Sequence, residues 1–173
     1  MDWINNEELF RKELATGSKW ARYVAEQLNT LGINCYSPEM VVREDISQIE
    51  AFSKDDKDIL FNLMDGNLEV KSRNLRFESD SSSYPYQTAF VDTVSGWEAK
   101  TEKPLAVVLV SQKTSQMLVA PVSTEHLWST TSLYDNVRGI HDTWWTIDKT
   151  LLRPIDELVE WLLVRQNNNN PAS

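Results

Sequence analysis

The chain has 173 residues, 41% of them hydrophobic, and a formal net charge of −9. Those values fit one globular domain with one real core and exclude a disordered chain. They also argue against an extended nucleic-acid-binding surface, because phosphate contacts need Lys and Arg, and the single cysteine, Cys35, excludes an intrachain disulfide or a thiolate metal cluster.

Met1-Asp2-Trp3-Ile4-Asn5 lacks the basic and apolar regions of a secretory leader, and no stretch of about 18 apolar residues exists. A cytoplasmic protein without a membrane partner is therefore expected. A short helical stretch over about 7–15 precedes a stronger helix, in which Trp20, Val24, Leu28 and Leu31 recur at helical spacing and Gly32 supplies the stop. Thr16-Gly17-Ser18 is either a break between two helices or a weak point in one. Residues 33–36 read as a short strand ended by Pro38; residues 39–57 are ambiguous, with Ile46 and Ile49 able to anchor a short helix.

Two strand-like runs, 58–62 and 67–73, flank the turn signal Asp65-Gly66 and predict a hairpin. Residues 78–86 read as a polar loop, 89–91 as a strand and 94–100 as a short helix. The unbroken apolar run 105–110 predicts a strand buried on both faces, paired with 117–122. Mixed loop and helix is expected over 123–140 and another strand over 143–147. In the last helix Pro154 suits the first turn, and Ile155, Leu158, Val159, Leu162 and Leu163 form one apolar face. The expected organisation is a single α/β domain over 1–166, built round one mixed sheet flanked by helices, followed by a disordered tail over 167–173.

The hairpin carries the most informative side chains. Glu69, Lys71 and Arg73 alternate with Leu68 and Val70, so they share one strand face. Any loop with an even number of residues adds Asp58 to that face. A two-residue loop pairs Asp58 with Arg73 and leaves Glu69 roughly 13 Å away, too far to share an ion. A four-residue loop, 63–66, pairs Asp58 with Lys71 and brings Glu69 within about 7 Å, so the longer loop is preferred. Two such carboxylates suit a hard cation that keeps positions open for water and phosphate. A neighbouring lysine can orient that water and stabilise developing charge.

Asp58, ten intervening residues, then Glu69-Val70-Lys71 resembles the signature of the PD-(D/E)XK nuclease superfamily, the restriction-endonuclease-like fold. The core resemblance covers about residues 16–110, and Lys57 stands where the family commonly has proline. The resemblance implies that Asp58 and Glu69 bind Mg²⁺, with Mn²⁺ able to substitute. It implies that the Val70 carbonyl adds a ligand and that Lys71 assists the nucleophilic water. It further implies a metal-dependent endonuclease hydrolysing DNA, with a restriction, homing, resolvase or phage-type role left open; for a duplex cutter of this size a homodimer, one active site per strand, is the expectation. A further acid on the first helix is common in the family. Glu13 and Glu26 are the candidates, and Glu13 is preferred because it lies seven residues before Trp20, hence inward if the helix runs through Gly17. Gln87 and Arg73 are candidates for supporting or phosphate contacts, and Lys71, Arg73 and Arg76 form a basic cluster beside the site.

Other readings stand beside these. Asp55 and Asp56 read as a polar loop, His126 and His141 as ordinary histidines, and Cys35 as buried and inert. The seven tryptophans read as core or interface residues before base-stacking ones. The competing function is a noncatalytic interaction module that keeps the nuclease fold, which the acidic charge favours.

Overall fold

A computed structural model describes residues 3–38, 57–136 and 139–169; the side chains of residues 3–11, 13 and 14 lie outside that description. Ile46, Ile49, Asp55 and Asp56 fall outside the described residues.

One unbroken helix, α1 (Trp3–Thr30), covers both stretches, so of the two readings of Thr16-Gly17-Ser18 the single helix is the one observed. Gly17 has open space around its Cα, and the Thr16 hydroxyl donates to the Lys12 carbonyl at 2.9 Å. An interior glycine costs only about 1 kcal/mol against alanine, too little to break a helix that tertiary packing supports. The helix stops at Gly32, which takes φ +94°. The Ile33 amide bonds back to the Leu28 carbonyl at 3.0 Å and the Gly32 amide to that of Asn29 at 3.1 Å. This is a Schellman ending, in which the residue after the glycine packs on the last turn. Ile33 therefore enters the core, whereas Leu31, expected on the apolar stripe, is exposed.

The main sheet has six strands in the order β1-β2-β3-β5-β6-β9. These are β1 (Cys35–Tyr36), β2 (Ile59–Phe61), β3 (Asn67–Arg73), β5 (Ala106–Ser111), β6 (Met117–Pro121) and β9 (Arg153–Pro154). Among the described residues only β3 and β5 pair in parallel. A second, antiparallel sheet has the order β4-β8-β7, from β4 (Thr88–Thr93), β7 (Ser129–Asp135) and β8 (Ile140–Asp148). The short helix α2 (Val94–Glu98) follows β4, and α3 (Ile155–Asn168) ends the described chain, running past residue 166 into the expected tail. Among the described residues no helix is long and apolar enough to cross a membrane.

The centre of the main sheet, at β5, is apolar on both faces. Ala106, Val108 and Val110 pack with Val24 and Leu28 of α1 and Leu158 and Leu162 of α3. Val107 and Leu109 pack with Ala89, Val91, Trp97 and Ile147 on the other side. Covering both faces explains the unbroken apolar run of β5, every residue of which is buried. The loop over 78–86 is not wholly polar in its packing, since Tyr84 is buried against Phe77. Strand β7 was not foreseen: its Ser129-Thr130-Thr131-Ser132 run lacks apolar alternation, and its first six residues are exposed. Its order comes from a seven-rung ladder with β8.

The β2–β3 hairpin differs from expectation in one respect. Ile59 pairs with Leu68 and Leu60 with Asn67, so the connection is two residues longer than the four-residue loop. Phe61 pairs outward with Cys35 instead, and Met64 tucks into the core. Gly66 closes the turn at φ +107°, where a Cβ would fall 2.8 Å from Leu105 Cδ1. Gly66→Ala is expected to destabilise the fold by roughly 2–3 kcal/mol through strain and overlap, read as a lower thermal midpoint.

Candidate functional site

The hydrogen-bond phase of β3 sets the centre. The Leu105 amide donates to the Asn67 carbonyl at 2.8 Å and the Gln112 amide to that of Arg73 at 2.9 Å. Odd-numbered residues of β3 thus direct their backbone groups to β5 and even-numbered ones to the β2 side. The β2 ladder ends at Ile59, and one further rung would set Asp58 opposite Glu69. There the Asp58 carboxylate takes the ladder's place, with Oδ2 accepting the Val70 amide at 2.8 Å. The Val70 carbonyl points to that same side. The even-loop reasoning holds, because an even change of register keeps Asp58 on the Glu69 face.

On this face lies the three-stranded sheet. Its strand β4 has a bulge: Phe90 pairs with Thr146 but Asp92 pairs with Trp145. The extra residue, Val91, changes the phase, so Asp92 faces inward with Ala89 and Ile147 where simple alternation would turn it away. Asp92 is 7% exposed. Thr93 then caps α2, its hydroxyl accepting the Gly96 amide at 3.0 Å, and the chain delivers Lys100 just beyond.

Four of these side chains form a closed ring of ion pairs. Lys71 Nζ lies 2.9 Å from Glu69 Oε1 and 3.6 Å from Asp92 Oδ1. Lys100 Nζ lies 3.1 Å from both Glu69 oxygens and 3.8 Å from Asp92 Oδ2. Only the contact with Oε1 has hydrogen-bonding geometry, and Oε2 is a buried oxygen without a hydrogen-bond donor. Burial pushes the Glu69 carboxyl up, but Lys71 and Lys100 outweigh it and hold the group below its ordinary value. Burial pulls Lys71 down, yet Glu69 and Asp92 raise it overall, so it remains an ammonium. Asp58 is pushed up to about 6, chiefly by burial and further by Glu69; the Val70 amide and the lysines offset part of this.

The other sequence candidates disperse. Arg73 turns its guanidinium into the protein, Nη2 donating to the Phe90 carbonyl at 2.9 Å beside the bulge. Burial lowers its pKa, and this hydrogen bond ties β3 to the β4 backbone. Gln87 is exposed just before β4, five residues ahead of Asp92, and donates to the Asp148 carboxylate at 3.1 Å, outside the cluster. Glu26 is exposed on α1, and the Glu13 side chain lies outside the described residues. His141 packs on Tyr134 and is remote in the chain from His126. Trp97 and Trp128 are core residues, while Trp144 packs edge-on against Phe90.

Sequence reasoning missed Asp92 and Lys100. Asp92 left one signal, an acid closing the otherwise apolar run Ala89-Phe90-Val91; nothing marked the bulge that turns it inward. Among the described residues no group of three or more His, Cys, Asp or Glu is placed to hold one metal ion. No protein-family model, curated protein or solved structure matches the chain.

Proposed function

We propose that this protein is a Mg²⁺-dependent nuclease hydrolysing DNA phosphodiester bonds, built on a restriction-endonuclease-like core. The observation that carries the reading is the place of Asp58 one rung beyond the β2–β3 ladder, opposite Glu69 and bonded to the Val70 amide, with the Lys71 ammonium 2.9 Å from Glu69. The donors are all oxygens, and Glu69 Oε2 has lone pairs that no hydrogen bond uses. Two carboxylates, the Val70 carbonyl and water suit Mg²⁺, which keeps several waters and seldom uses an all-protein cage. A bound divalent ion would polarise the scissile phosphate and lower the pKa of its water.

The chain's own residues divide the remaining work. Asp58 and Glu69 supply the anionic oxygens. Lys71, kept protonated by Glu69 and Asp92, orients water and stabilises negative charge on the phosphate; it does not accept the proton. Arg73 fixes the β4 backbone that carries Asp92. A duplex cutter of this size would act as a homodimer, one centre per strand.

The second reading, a noncatalytic interaction module, draws on the ion-pair ring, in which the lysines already compensate Glu69 and Asp92. One experiment separates the two. Purified protein is incubated with plasmid, single-stranded and branched DNA in Mg²⁺, Mn²⁺ and EDTA. Cleavage in either metal and none in EDTA is expected. No cleavage of any substrate would favour the module.

A further inference from the structure

We propose that Lys100 is the resident cation of this centre: its ammonium occupies the Glu69 oxygen that a divalent ion takes, and on exchange it turns to the substrate phosphate. The inference rests on the nuclease reading above and adds a residue that the Asp-Glu-Lys pattern does not contain.

The two lysines on Glu69 are not equivalent. Lys71 stands on β3, where its backbone pairs with Leu109 of β5, and its ammonium meets Glu69 Oε1 at 2.9 Å and Asp92 Oδ1 at 3.6 Å. Lys100 lies past the end of α2 and before β5, in a segment without ladder bonds. It straddles the Glu69 carboxylate, 3.1 Å from each oxygen, and so covers Oε2. Its backbone is rooted, the amide donating to the carbonyl of the fully buried Trp97 at 3.2 Å. Its side chain is 23% exposed, close to the 28% of Lys71, so the two lysines differ in the backbone that carries them. The stem starts from a fixed point outside the ladder, and the turn proposed for its head needs only side-chain rotation.

A divalent ion bound through Glu69 Oε2 sits about 2 Å from that oxygen. An ammonium 3.1 Å from the same oxygen would then lie within a few ångströms of a doubly charged cation. At that range like charges repel by several kcal/mol even with partial screening. The two cations cannot share Oε2, so ion binding must expel Lys100. Asp92 lies 3.8 Å away and keeps the displaced head beside the centre. The nearest new anion is the phosphate that the centre is proposed to bind. Lys100 thereby becomes a substrate-contacting, catalytic residue, and Asp92 is its positioning residue. The ring holds the buried carboxylates compensated before the metal arrives and supplies a second cation to the phosphate afterwards.

Metal affinity provides a test independent of turnover. Mn²⁺ is titrated by calorimetry into metal-free wild type, Lys100→Met and Lys100→Gln, and each protein is melted in EDTA and in saturating Mn²⁺. Removing the competing charge should tighten Mn²⁺ binding roughly tenfold. It should also lower the melting temperature in EDTA and enlarge the rise that Mn²⁺ produces. Binding of a short DNA duplex in Ca²⁺ should weaken in both variants and recover partly in Lys100→Arg. A purely structural lysine would instead destabilise the protein with and without metal and leave Mn²⁺ affinity equal or weaker. That result in either folded variant, or wild-type duplex binding, overturns the inference while leaving the nuclease reading intact if wild type still cleaves. Wild type that neither binds Mn²⁺ nor cleaves DNA overturns both.

Discussion

Lys71→Met should cleave DNA roughly 10²–10³-fold more slowly than wild type in saturating Mg²⁺, as expected for losing one charge-stabilising donor. Methionine keeps the partly buried stem on β3 and removes only the ammonium. Metal affinity should hold or rise, because Lys71 draws on the Glu69 carboxylate and supplies no ligand atom. The ion pairs with Glu69 and Asp92 also predict the pH behaviour. Lys71 stays charged throughout the neutral range, so the pH–rate profile should show no limb from its deprotonation. Steady-state rates for the purified variant, beside a calorimetric Mn²⁺ titration, check both points. Wild-type turnover by Lys71→Met would remove Lys71 from the centre.

Asp58→Asn should lose metal binding and cleavage together, yet yield a more stable metal-free protein. Asparagine keeps an oxygen able to accept the Val70 amide but cannot ionise. The sign follows from the raised Asp58 value of about 6 against 3.8 for the ordinary group. Below about pH 4 the carboxyl is protonated in both folded and unfolded chains and contributes nothing. From there to pH 6 the unfolded chain ionises first, so wild-type stability falls with rising pH; above 6 the deficit stays constant. Allowing for the partial contact of Asp58 with water, the deficit is about 1–2 kcal/mol. Asp58→Asn should therefore melt roughly 3–6 °C higher than wild type in EDTA at pH 7.5. At pH 4 the two curves should coincide. Saturating Mg²⁺ at pH 7.5 should reverse the order, because only wild type gains from ion binding. A variant that melts below wild type in EDTA at both pH values would show that the carboxylate is needed for the fold itself.

Strand parity was the part of the site most legible from the residues. Alternation put Glu69 and Lys71 on one face, any even register added Asp58, and the observed register, two residues from the preferred one, is still even. That difference came from tertiary packing. Met64 is drawn into the core and Phe61 pairs with β1, and neither preference is written in the Asp65-Gly66 turn signal. The doubly buried β5 was equally plain, because a run without polar residues has few other places to go. Strand β7 was hidden for the opposite reason: its polar residues carry no period, and β8 imposes its extension. Asp92 and Lys100 were the costliest omissions. Their approach to Glu69 depends on a parallel pairing, a bulge and a five-residue helix, each a long-range outcome that local spacing does not encode.

The bulge at Val91 also divides the chain into lengths that can drift and lengths that cannot. Between β3 and β4 the backbone is pinned by buried Phe77 and Tyr84, with the exposed, serine-rich turn between them. Residues could be gained or lost in that turn without moving the anchors, since loop closure changes only slowly with length. Within Thr88–Asp92 no such freedom exists. One residue fewer would erase the bulge, restore simple alternation and turn the Asp92 carboxylate away from both lysines. Homologous chains that share this centre should thus vary freely in the interval from Glu69 to Asp92 taken as a whole. They should keep the count from the start of β4 to the acid, so a search anchored on β4 would find them where a fixed spacing from Glu69 would not.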